Sequence, residues 1–457
     1  RHGVEIERAT EAFTVRGARD YWDDTPEAET FPAGTVIVRA DQPKHLFVNT
    51  LLQRDMAIED SVMYDMATWS VPMAYNLTAY AAPALPDVRT EPMTQAPEAS
   101  GGVANPGAQY AYVVDWGQRH APKALAMLWE AGYRVRSARK AFGRDGQSFG
   151  PGSLIVLLGR NLDKVDEASG DMARIAREAG VEIVGMDTGR MQNGIDLASS
   201  DARPVEQSRV LLMVDSPFSS YTAGQLWYVF DRETALPITR LRTDALGSVD
   251  LGAYDVLVMP GASASGLRAA FDSSTVARLQ TWVREGGTLV ATESSALFLT
   301  EDRSGFTGVD LAKDTTATPA ASGGPSPAAY TRYEAREDSS GLARIPGSAF
   351  RATLDTSHPL AFGMSERLYS LRQSTEALEP AEGLQTVGYY DFDPARTLAA
   401  GYASGENQRK LAGKAFAAVQ PMGRGRVVFL VDNTQYRMFW IGPMRLVQNA
   451  VMLLPGM

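Results

Sequence analysis

The chain has 457 residues, with 44 basic against 54 acidic side chains and a formal net charge of −10. That length suits about three domains, and 44% hydrophobic against 21% charged residues is the balance of a chain that buries real cores. The acidic balance excludes a general nucleic-acid binder, and the lack of cysteine excludes thiol catalysis, disulfides and Cys-based metal centres.

In chain order, Gly3–Phe13 lines up with Gly132–Phe142 at an offset of 129, and Phe31–Val38 with Phe149–Val156 at an offset of 118. Two ordered matches with one gap predict an internal repeat. The 11-residue difference is a loop insertion in the first copy, around Tyr21–Ala28. The first α/β unit is assigned to residues 1–80, including the aromatic stretch Tyr64–Tyr75, and the Pro/Ala/Gly/Ser-rich 81–107 reads as an exposed linker.

The second unit, 108–205, shows what one copy contains. A strand over 110–115 precedes a helix over 121–130, with Leu125, Leu128 and Trp129 on one face and Ala131-Gly132 as its stop. Strands follow at 133–138 and 153–158, then a helix over 165–179 carrying Met172, Ile175 and Ala176, and a strand over 181–185. This alternation predicts parallel pairing in both units. The first copy lacks the opening strand and helix. The ~25 residues equivalent to 108–131 are therefore expected ahead of Arg1, which makes the chain the back part of a longer polypeptide.

The third region, 206–457, predicts strands over 209–215, 238–241, 254–259, 288–292 and 426–431, with helices through 227–230, over 276–284 and over 443–452. That is a doubly wound, flavodoxin-like α/β sheet. The low-complexity stretch 313–329 is expected to be a mobile loop. No apolar run approaches the ~20 residues of a membrane span. None of His2, His45, His120 and His358 forms a His-x-x-x-His pair.

The strand-to-helix turn after Ala291 is where a nucleophile would stand. The third region resembles the class I glutamine amidotransferase-like fold in Gly261 and in the Gly286–Val290 approach to that turn. In that family the elbow carries a catalytic Cys; here it reads Thr292-Glu293-Ser294-Ser295. Ser294 could serve if a base and an orienting acid met it, and His358, with Glu293, supplies the candidates. The competing reading is that small residues merely permit the tight turn. Asp41, Asp60, Asp65, Asp115, Asp215 and Glu293 all sit at expected strand ends, where ligands bind but where helix caps are commoner. Phosphate-loop and dinucleotide fingerprints are absent.

Gly3–Ala74 resembles the region that follows the catalytic domain in large bacterial zinc carboxypeptidases. Arg344–Phe350, Asp355–Gly363 and Val431–Gly442 resemble that family's C-terminal amidotransferase-like domain. The resemblance implies an exported, periplasmic or secreted parent whose zinc sits in a catalytic domain outside this chain, held by a His-x-x-Glu pair and a distant His. His2 and Glu5 match that spacing alone, and their surroundings match a helix end and strand of the repeat, so no metal ligand is assigned here. The expected role is a non-catalytic accessory portion for substrate docking or assembly, partnered by the N-terminal catalytic domain and by peptide. The alternatives are a serine-dependent hydrolase or amidohydrolase using Ser294, and a small-ligand-binding module.

Overall fold

The computed structural model of the chain describes residues 2–54, 68–97, 100–304, 306, 308–312 and 344–457. The expected loop 313–329, Asp60, Asp65 and the start of the 64–75 stretch lie outside them. The first unit contains β1 (Glu7–Ala9), β2 (Phe13–Asp20), β3 (Pro26–Phe31), β4 (Val36–Ile37), α1 (His45–Leu52), α2 (Val71–Ala74), β5 (Tyr80–Ala81) and β6 (Thr90–Pro92). They form two small sheets, β4-β1-β6 and β3-β2-β5.

The second unit runs β7 (Gly102–Ala104), β8 (Ala111–Val114), α3 (Ala121–Glu130), β9 (Val135–Ala138), β10 (Phe142–Arg144), β11 (Gln147–Phe149) and β12 (Leu154–Leu157). It continues with α4 (Val165–Ala179), β13 (Glu182–Met186), β14 (Asn193–Gly194) and β15 (Ala202–Val205). Its main sheet has the order β15-β9-β12-β8-β13-β7. Parts of the stretch read as a linker therefore pair as strands: β6 with β1, and β7 with β13.

The repeat exists as backbone register. Glu7 pairs Ile37 and Arg8 pairs Val36, as Arg136 pairs Ile155 and Ser137 pairs Leu154. Phe13 opposes Phe31 with stacked rings 5.2 Å apart, and Phe142 opposes Phe149 at 5.1 Å. The turns into β4 and β12 use Gly34 and Gly152 at φ 91° and 94°, a region that favours glycine.

The α/β class stands, but pairing inside the units differs from the expectation. Only β13 and β7 run parallel in the second unit's main sheet; β8, β9, β12, β13 and β15 meet antiparallel. Each helix does connect two parallel strands, β8 to β9 through α3 and β12 to β13 through α4. In both cases one antiparallel strand is inserted between them. This is the split βαβ arrangement, in which sequence alternation does not translate into adjacency.

The insertion lengthens the β2–β3 hairpin into a docking arm. Tyr21 is buried, Trp22 packs on Tyr369 at 5.1 Å, and the Trp22 carbonyl accepts from Arg351 Nε at 2.8 Å. Asp23 bridges Arg367 at 3.3 Å and Arg396 at 3.0 Å.

The third domain is built from β16 (Val210–Val214), α5 (Ser220–Tyr228), β17 (Ile238–Arg242), β18 (Val256–Met259), α6 (Ala264–Ala270), α7 (Ser273–Arg284), β19 (Thr288–Thr292) and α8 (Glu293–Leu299). It adds β20 (Ser348–Leu354), β21 (Arg367–Arg372), β22 (Gln385–Tyr390), β23 (Leu398–Ala400), β24 (Ala415–Met422), β25 (Gly425–Leu430) and a last α-helix, Met444–Met452. Parallel strands in the order β17-β16-β18-β19-β25 make the flavodoxin-like core. Antiparallel β24, β22, β20 and β21 extend it to a 10-stranded sheet in which β23 pairs β20. The inner parallel strands β16, β18 and β19 are buried and almost wholly apolar because helices cover both faces, whereas the edge strand β17 carries Thr239, Arg240 and Arg242. Asp272 caps α7 by accepting from the Thr275 amide, and Gly286-Gly287 lets the chain turn back into β19.

The second unit and the third domain share one core. Trp116 is 0% exposed, and its Nε1 donates to Asn449 Oδ1 at 2.9 Å on the last helix. Gly152 and Gly363 lie against it; an added Cβ would come within 2.7 Å and 2.6 Å of Trp116 atoms. Among the described residues no helix is long and apolar enough to cross a membrane. Trp116→Phe keeps an aromatic six-membered ring but removes the N–H and orphans Asn449 Oδ1, and should lower stability by about 1–3 kcal/mol in urea unfolding; an unchanged midpoint would show that the bond contributes nothing.

Candidate functional site

The carboxyl ends of β16, β18, β19 and β25 form the edge where ligand sites gather in this architecture. β19 passes directly into α8, and the residue at the tip of that turn is Glu293, at φ 51°. A non-glycine residue there is strained by about 1–3 kcal/mol, as in nucleophile elbows. The tip is therefore Glu293 and not Ser294, which lies one residue further on.

Glu293 turns its carboxyl inward. Oε1 accepts from Asn433 Nδ2 at 3.1 Å, and the shielded Oε2 has no partner at hydrogen-bonding geometry. Room for it comes from Gly261, where an added Cβ would stand 2.4 Å from Oε2. Burial raises the Glu293 carboxyl above its ordinary value; Thr222, Asn433 and the Gly261 amide oppose that shift, and Asp432 adds to it. As the first residue of α8 it does not cap the helix, contrary to the commoner role expected for strand-end acids.

Ser294 is a strut. Its hydroxyl donates to the Ala262 carbonyl at 2.6 Å and accepts from the Ala262 amide at 2.8 Å, fixing the turn after β18. Ser295 donates to the Pro260 carbonyl at 2.5 Å.

His358 belongs to the other edge of the sheet. It follows β20, which runs antiparallel to β19 through the chain of pairings β19-β25-β24-β22-β20. Five strand residues at about 3.3 Å each separate the two edges by more than 10 Å, beyond hydrogen-bond reach even through one water. There Nδ1 accepts from the Leu360 amide at 3.1 Å, and Nε2 lies 3.2 Å from Gln385 Oε1. Burial lowers its pKa. Ser294, Glu293 and His358 thus form no triad, and the reason is strand direction.

What the edge does gather is a buried polar network. Asp432, just past β25, accepts from Arg372 Nη1, Ser370 Oγ and Tyr390 OH, each at 2.5 Å. Arg372 is 0% exposed. Burial opposes its charge, yet Tyr390 and Asp432 hold it above the ordinary guanidinium value. The next residue, Asn433, reaches both Glu293 and Gln225 Oε1, the latter at 3.1 Å. Sequence reasoning missed these residues. An acid closing the apolar run of β25 was the available signal for Asp432; nothing local marks Arg372 or Tyr390 as its partners.

Of the other strand-end acids, Asp115 bonds the Gly117 amide and Ser153, and Asp215 stands exposed at φ 62° near Arg242. Asp41 is exposed. Among the described residues no three His, Asp or Glu side chains gather as a metal ion would need.

No protein-family model and no curated protein matches the chain. Solved structures similar to it include a chain of PurLQS from Thermotoga maritima, with 9% identity, TM-score 0.37, and coverage of 54% of this chain and 97% of that one. A glutamine amidotransferase from the same organism gives 10% identity, TM-score 0.32, and coverage of 54% and 99%. A ThuA-like protein from Bacteroides uniformis gives 9%, 0.30, and 53% and 89%. The neighbours thus include glutamine amidotransferase-like folds; the fold assignment itself rests on strand order.

Two outcomes are expected. Because the native chain holds the Glu293 proton above the ordinary 4.5, stability falls as pH rises from there through the raised value and is level beyond it. Glu293→Gln should remove that part of the slope in urea midpoints taken from about pH 4.5 upward. Asp432→Ala leaves a buried guanidinium uncompensated and should cost about 3–5 kcal/mol by the same measurement.

Proposed function

We propose that this chain is the non-catalytic C-terminal accessory portion of an exported, periplasmic or secreted zinc carboxypeptidase. It docks peptide substrate or assembles the parent with its N-terminal catalytic domain. The supporting observation is the use made of the elbow: Ser294 is committed twice to the Ala262 backbone, while Glu293 faces inward onto Asn433. The zinc belongs to the parent's catalytic domain, and no chemistry is routed through this chain.

The fold supports the same role. Trp116 ties the second unit to the third domain through Asn449, and the Tyr21–Asp23 arm ties the first unit to it through Arg351 and Arg396, as an accessory portion built around one frame requires. A small-ligand module is the second reading, favoured by the exposed Asp215 at the strand-order reversal between β16 and β18.

With added zinc, the purified chain should release no C-terminal residues from peptides, and a broad serine-directed probe should leave Ser294 unlabelled. Chelator-sensitive release, or labelling lost in Ser294→Ala, would overturn the reading.

A further inference from the structure

The two copies of the repeat differ in what covers their equivalent strands. In the second unit β8 lies along the outer edge of β12, pairing Val114 with Leu154 and Val113 with Ile155. Leu154 and Ile155 are both 0% exposed there. In the first unit β4 is the last strand of its sheet, and Val36, at the place of Leu154, is 55% exposed.

That edge is open for pairing. The Ala9 amide donates to the Thr35 carbonyl at 2.9 Å, so Thr35 and Ile37 bond inward to β1 while Val36 turns its N–H and C=O outward. In chain order α1 follows β4 as α4 follows β12. Yet α1 leaves Leu46 72% and Phe47 37% exposed, whereas α4 buries Met172, Ile175 and Ala176 and packs against α3. Among the described residues nothing pairs with the outer edge of β4.

We propose that this edge and the apolar flank of α1 receive a strand–helix segment of the β8–α3 kind, antiparallel to β4 and carried on polypeptide ahead of Arg1. The second unit itself supplies the argument for that occupant. The inner strands and the outermost strand of the two sheets share one register, so the strand missing from the first copy has a known place, direction and partner. An uncovered strand edge invites pairing with other chains, and folded proteins cover or blunt such edges. Adding one strand satisfies the outward Val36 groups, and adding its helix buries Leu46 and Phe47. The source of the segment rests on the reading of this chain as the rear part of a longer one; the acceptor edge does not.

Amide hydrogen exchange on the 457-residue chain and on the parent polypeptide, extended through its own residues ahead of Arg1, tests the idea. Exchange at Val36 should slow roughly tenfold or more in the longer chain. A polarity-sensitive dye that binds the shorter chain, and binds it less in Leu46→Glu, should lose that site in the longer one. Equal exchange at Val36 in both chains would overturn the proposal. So would protection in the shorter chain that grows with concentration, because it would give the edge to a second copy. Neither readout involves peptidase activity, so a failed carboxypeptidase assignment and a failed docking edge are distinguishable.

Discussion

A single buried carboxylate, Asp432, holds the carboxyl edge of the long sheet together. Its three donors come from β21 and β22, on the far antiparallel side, while its own position is set by β25 in the parallel half. A buried pair such as Asp432–Arg372 adds little net stability, because desolvation roughly cancels the attraction. It ties register instead: a slip of β21 or β25 would part Arg372 from Asp432 and leave a buried charge without its counter-ion. Asn433 then carries that order one residue further, to Gln225 on α5 and Glu293 at the elbow.

The elbow is a junction held by its neighbours. A glutamate at positive φ is tolerated because Asn433 meets its carboxyl and Gly261 leaves room for it. Ser294 clamps the turn after β18 through both backbone groups of Ala262. A nucleophile needs a free hydroxyl and a base on the same edge. Here the hydroxyl is occupied by the Ala262 backbone, and His358 lies at the opposite edge of the sheet, so the two do not meet.

Much of this was legible from residue order. The apolar runs of β16, β18, β19 and β25 and the capped helix α7 announce a doubly wound sheet, because fully covered parallel strands have few polar residues to confuse the pattern. The repeat was legible from its glycine turns and facing phenylalanines. Adjacency was not: β12 enters between β8 and β9 through contacts that no local pattern encodes. Strands β20, β21 and β22 escaped because polar residues such as Arg351, Ser370, Arg372 and Gln385 interrupt their apolar pattern. The elbow tip shifted by one residue, from Ser294 to Glu293, since φ is decided by the packing of α8 against β19. Arg372, 60 residues from Asp432, illustrates the general limit: a buried charge finds its partner only in the fold.

The most direct measurement is the unfolding free energy of Ser294→Ala against the unsubstituted chain. A strut that loses two hydrogen bonds and orphans the Ala262 backbone should be less stable by about 1–3 kcal/mol. A catalytic hydroxyl held in strain for chemistry is commonly neutral or stabilising to remove. An unchanged or raised unfolding free energy would therefore contradict the structural role assigned to the elbow.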